Sequence, residues 1–185
     1  MSRFEELIAT VEAYQALVEE NYSRIRRLAE EVRGGLCDYI GAPDGVCVYL
    51  VPPAGPFEPR AYGDLAFSIP PRGFRPLGPV AFGLAFRVSK QSDWLRLRFE
   101  CRKAGDEFIV VIEDGAEYTF HLPIREGDSA PFYAHIYQYI LGWFRENIES
   151  YQDGAYGTRA IGFDFAGVPS HAPEAGTSSG PDFKL

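Results

Sequence analysis

The sequence predicts an α+β fold: a long N-terminal helix, a mainly antiparallel sheet of five to seven strands in meander order, a C-terminal aromatic helix packed on the sheet, and a flexible tail. Three observations lead there. Apolar residues repeat with a helical period over the first 33 positions, alternate with period two from about 46 to 122, and return to the helical period from about 129 to 151. A chain of 185 residues suits one domain with a sizeable core, and 1–165 reads as that domain, with 166–185 as its tail.

The first helix is expected to start at Ser2, because "SRFE" has the capping-box form in which Ser2 and Glu5 satisfy each other's backbone amides. Phe4, Val11, Val18, Ile25 and Val32 recur every seven residues, with Leu7, Tyr14, Asn21 and Leu28 between them, as in a two-helix seam. Gly34 and Gly35 supply a stop, which bounds the helix at 1–34. A helix over 3–33 is about 46 Å long, against a radius of gyration of roughly 16 Å for a domain of this size. It therefore spans the molecule, breaks near 21–23, or projects and pairs with a second copy. Asn21 either fixes register in such a pair or marks the break. Pairing predicts that Asp at Val11, Val18 and Ile25 separates two copies without unfolding the sheet.

Strands are expected at 46–51, 64–70, 80–88, 94–102, 107–113 and 116–122. Asp114-Gly115 and the "KAGD" segment at 103–106 are tight turns, so 80–122 forms an antiparallel meander. The proline-rich stretches 52–59 and 70–79 cannot supply central-strand amides and are placed as loops. Residues from Asp128 or Ser129 to Gly154 form the second helix, with Phe132, Ile136, Ile140, Trp143, Phe144, Ile148 and Tyr151 on its apolar face. A last strand falls within 158–165.

Chemistry is sparse. No phosphate-binding loop, dinucleotide fingerprint or nucleophile elbow occurs, and His121, His135 and His171 lack metal-ligand spacing. No catalytic residue, cofactor or metal is assigned. Cys37, Cys47 and Cys101 form no CxxC and cannot all pair, which fits a reduced, cytoplasmic setting. The start carries acids among its apolar residues, unlike a secretory signal, and no run approaches a membrane span. A net charge of −8 opposes nucleic-acid binding.

Charge is nevertheless uneven. Residues 57–103 hold nine bases and four acids, whereas 104–153 hold two bases and ten acids. On the strand 94–102, Leu95, Leu97, Phe99 and Cys101 share one face, and Arg96, Arg98, Glu100 and Arg102 the other. The preceding strand sets Ala81, Gly83, Ala85 and Arg87 beside those arginines, leaving room for a close approach. Arg87, Arg96, Arg98 and Arg102 are the candidate binding residues, for an acidic peptide or another anion. On that reading, Arg96 and Arg98 to Ala leaves stability within about 1 kcal/mol; alternatively the second helix covers them through Glu146 and Glu149. The functional expectation is a non-enzymatic interaction module, an adaptor, small acidic chaperone or immunity-type binder acting as a homodimer through the first helix. A ligand-binding or catalytic domain with an aromatic-lined cavity between the sheet and helix 131–151 is the other possibility, marked by a closed pocket there.

Overall fold

The computed structural model describes residues 2–42, 46–70, 73–113, 115–155 and 164–166. The elements are α1 (Arg3–Ile40), β1 (Val48–Val51), a short 3₁₀ turn (Gly63–Ala66), β2 (Val80–Arg87), β3 (Trp94–Ala104), β4 (Glu107–Ile112), β5 (Ala116–His121), α2 (Ser129–Gln152) and β6 (Asp164–Ala166). Strands β1 to β5 form an antiparallel meander in chain order, and β6 pairs with the start of β3. The tail beyond Ala166 lies outside the described residues, as does most of the expected strand over 158–165.

One sheet face builds the core. Phe82, Leu84, Leu95, Leu97, Phe99, Cys101, Phe108, Val110 and Phe120 point towards the helices and are buried, as strand alternation requires. From α1 this layer receives Tyr22, Ile25, Leu28, Ala29, Val32 and Leu36, and from α2 Phe132 and Ile136. Phe82 stacks on Phe99 at 5.2 Å, and Phe132 meets Phe99, Tyr118 and Phe120 at 6.2, 4.9 and 5.2 Å between centroids. These rings fill the space under the first turns of α2. Ile148 and Tyr151, expected on the packed face of that helix, are exposed instead, because the contact with the sheet ends with its first half.

Helix α1 runs unbroken and differs from expectation at its end. The capping box forms, with the Glu5 amide donating to Ser2 Oγ at 3.2 Å, but the helix neither breaks at 21–23 nor stops at Gly34-Gly35. It continues to Ile40 and ends at Gly41 in the left-handed conformation. Gly35 serves close packing: a Cβ there would lie 2.8 Å from Tyr133 Cζ, and the Tyr133 hydroxyl donates to the Glu31 carbonyl at 3.2 Å. Asn21 marks no break; its Nδ2 donates to the Gly78 carbonyl at 3.2 Å. Val18 and Ile25 belong to the core of the domain, so Asp at those two positions would unfold the sheet rather than separate copies.

Two further expectations are corrected. Cys37 and Cys47 are joined in a disulfide that ties the last turn of α1 to the entry of β1, whereas Cys101 is a buried free thiol. The segment 64–70 is not a strand but a 3₁₀ turn followed by a single bridge from Phe67 to Phe82. The Ser68 amide and hydroxyl are both spent on the backbone of Ala81, which holds the segment beside β2 before Pro70 interrupts pairing.

Candidate functional site

The expected basic face is the sheet face opposite the helices, and the structure closes much of it with the chain itself. Segment 52–62 folds over Val51, Gly83, Ala85 and Trp94, with Phe57 and Tyr62 as its apolar contacts. At Gly83 a Cβ would lie 2.8 Å from the Val51 and Pro52 carbonyl oxygens, so the room left by small residues is taken by backbone. Arg96 is buried beneath this segment at 4% exposure. Its Nη1 donates to the Pro52 and Gly55 carbonyls at 3.2 and 2.6 Å, its Nη2 pairs with Asp164, and its guanidinium lies 4.9 Å from the centre of the Phe57 ring. These contacts clamp the loop to the sheet. The covering element is therefore the proline-rich loop, not α2 with Glu146 and Glu149.

The other three arginines divide. Arg87 ends β2 half-buried, its amide donating to the Cys47 carbonyl at 2.9 Å. Arg98 pairs with Glu100 on its own strand at 2.7 Å and remains two-fifths exposed. Arg102 pairs with Glu117 at 3.2 Å and stands at the end of the sheet, on the rim of a different feature. The four therefore do not converge on one site.

That feature is a groove between α1 and the end of the sheet, made of the β3–β4 turn and the segment leading into α2. Two hollows of about 490 and 520 Å³ share Glu20, Arg24 and Lys103, and a third of about 240 Å³ continues along Arg24 and Arg27. Arg24 is largely buried and paired with Glu20. Among the described residues no acid lies within ion-pair distance of Arg27 or Lys103. Leu17, Leu77 and Pro79 line one end, Leu122, Pro123 and Ile124 the other. Sequence reasoning missed it, because its cations come from a helix and from the end of a strand 76 residues later, which only the fold brings together. The one legible signal was the basic end of β3.

The second feature is the N-terminal half of α1. Its packing on the sheet begins only at Val18, and before that Phe4, Leu7, Ile8 and Val11 are exposed, by 68, 58, 42 and 38%. Their spacing at i, i+3, i+4 and i+7 sets them on one face, the same face that carries Val18, Tyr22 and Ile25 into the core. Tyr14 marks the transition: its hydroxyl accepts from the Leu77 amide at 2.7 Å and its ring stacks on Phe74 at 5.4 Å. The core stripe thus runs on past the sheet for more than two turns with nothing over it among the described residues.

Ionisation is perturbed mainly in the interior. Burial and the neighbouring Glu100 push the Cys101 thiol well above its ordinary range, and burial lowers His135, whose Nε2 is enclosed and has no partner among the described residues. Cys101 and His121 lie on opposite faces of the sheet, as the burial of one and the exposure of the other show, so they form no nucleophile and base pair. Among the described residues no cluster of three or more His, Cys, Asp or Glu is placed to hold a metal ion, and no helix is long and apolar enough to cross a membrane.

Fold and surface together define an α+β protein in which two helices cover one face of a five-stranded meander and one helix overhangs it. The chain matches no protein-family model, no curated protein and no solved structure.

Proposed function

We propose that this chain is a non-enzymatic protein-interaction module, of the adaptor, chaperone or immunity-binder type, that acts as a homodimer through the first half of α1. The observation that carries the reading is the exposed stripe Phe4, Leu7, Ile8, Val11, continuous with the core stripe of the same helix. A patch of this kind on an amphipathic helix is stabilised by a second apolar surface.

Geometry selects the partner's direction. The sheet occupies the stripe from Val18 onwards, so a second helix laid on Phe4–Val11 must run antiparallel, with its own sheet beyond the first copy's N-terminal turn. The two-fold axis then passes between residues 7 and 8. Phe4 faces the partner's Val11, while Leu7 meets the partner's Leu7 on one flank and Ile8 the partner's Ile8 on the other, so each large side chain meets a smaller or equal one and the interface is self-complementary. Filling of the space between α2 and the sheet by Phe132 and its neighbours supports the interaction reading over an aromatic-lined ligand cavity.

Sedimentation equilibrium at about 50 μM tests it. The unaltered chain is expected as a dimer, and Leu7→Asp with Val11→Asp as a monomer whose thermal melting is unchanged, since neither side chain belongs to the core. A monomeric unaltered chain, or a dimer that survives both substitutions, would overturn the proposal.

A further inference from the structure

We infer that the groove between α1 and the β3–β4 turn is a second, independent binding surface, and that its occupant is a short extended peptide with acidic residues in its middle and apolar residues at both ends. The inference rests on charge and shape at the groove itself. Along α1 the three hollows follow one another from Leu17 to Glu31, a distance of about 21 Å. An extended chain covers that length with about six residues.

The middle of the groove presents cations from both walls, Arg24 and Arg27 from the helix and Lys103 from the end of β3. Glu20 already neutralises Arg24, whereas Arg27 and Lys103 have no acid within ion-pair distance among the described residues. Two like charges facing one open groove repel each other, and a carboxylate between them relieves that repulsion. In a chain of net charge −8 this is a local reversal of sign. Apolar side chains stand beside these charges along the groove, Leu17, Leu77 and Pro79 towards one end, Leu122 and Pro123 in the middle hollow, and Leu28 and Ile124 towards the other end, where Glu31, Arg125 and Glu126 also line it, and these accept apolar flanks on the ligand.

Acids in the lining set the limits of this site. Asp106 lines the central hollow and Glu31 and Glu126, beside Arg125, the far end, so a long polyanion such as a nucleic acid meets acids at both places, while one or two carboxylates set between Arg27 and Lys103 do not. The open, shallow form suits a peptide lying along the helix better than an enclosed small molecule.

The probe is a fluorescein-labelled hexapeptide of sequence LLEELL, followed by anisotropy against the full chain, with LLKKLL as its charge-reversed control. Binding of LLEELL in the micromolar range is expected, weakened several-fold by raising the salt about tenfold. Arg27→Glu with Lys103→Glu should weaken it at least about tenfold, and Arg27→Gln with Lys103→Gln by a smaller factor; the glutamine pair decides the matter if the glutamate pair fails to fold. The Leu7→Asp, Val11→Asp variant should bind LLEELL as the unaltered chain does, which separates this site from the dimer contact. No anisotropy change up to about 1 mM, equal binding of LLKKLL, or binding insensitive to both groove variants overturns the inference.

Discussion

Arg96 carries one end of the proline-rich loop. Truncation to Ala strands the Pro52 and Gly55 carbonyls beneath a covering segment and removes the stem that fills the space under Phe57. A loss of about 2–4 kcal/mol is expected, from unsatisfied buried acceptors and lost packing. Arg98, on the same strand face, is two-fifths exposed with one surface ion pair, and its truncation should cost less than about 1 kcal/mol. Urea unfolding of the two single variants checks the contrast, and similar midpoints would show that Arg96 is not a clamp. Alternation along β3 was legible in the sequence down to the residue, yet it equated Arg96 with Arg98. The difference between them is made by a loop more than 40 residues upstream and by Asp164, to which no strand pattern points. His135 gives a pH dependence at the same scale. Burial lowers its folded-state pKa below the ordinary value of 6.5, so the stability it supports is complete above that value and is lost as pH falls, because the unfolded chain binds the proton more readily. The urea midpoint should therefore fall between about pH 7.5 and 5.5, and less so in His135→Gln; an equal fall in both would remove His135 as a cause.

At the level of elements, α1 shows what periodicity reads well and what it cannot read. Start, face and heptad spacing were legible, because an amphipathic helix writes them into every third or fourth residue. Its end was not, since Gly34-Gly35 looks like a stop until Tyr133, about 100 residues away, is seen to occupy the space a side chain would need. The same holds for Asn21, whose partner is a loop carbonyl 57 residues on. The disulfide was equally hidden, since it depends on α1 continuing to Ile40 and bringing Cys37 to the entry of β1. Cys37→Ser removes a closure of ten residues in sequence and should cost roughly 2–3 kcal/mol by freeing the unfolded chain. Under reducing conditions the unaltered protein should melt with the variant; a variant as stable as the oxidised protein would show that the bridge adds nothing.

For the molecule as a whole, the antiparallel dimer makes a prediction of sign. Glu5 and Glu12 stand on the same flank of the stripe, and a two-fold antiparallel pair sets equivalent flanks against each other, so Glu12 of one copy approaches Glu5 of the other. Like charges there weaken the dimer. Glu12→Lys should tighten it several-fold, and added salt should tighten the unaltered dimer, the reverse of the response expected at the groove. Sedimentation at two ionic strengths reads both effects, and a dimer weakened by salt would exclude this arrangement. The class of fold and the apolar seam of the first helix were legible in the sequence; the groove stayed invisible because it belongs to no single element.

The pairing of β3 has a consequence for exchange kinetics. Along its eleven residues β3 is bonded to β2 from Trp94 to Cys101, but on its other side β4 reaches only from Phe99 to Ala104, and the interval from Trp94 to Arg96 is completed by the three residues of β6. The central strand is thus shielded from water at one end by a neighbour held chiefly through Arg96 and the contact of Phe165 with Trp143. In deuterium exchange, the β3 amides facing β6 should exchange on release of that short strand, with a far smaller free energy than the amides facing β2, which wait for the sheet itself to open. One strand would then carry two clocks.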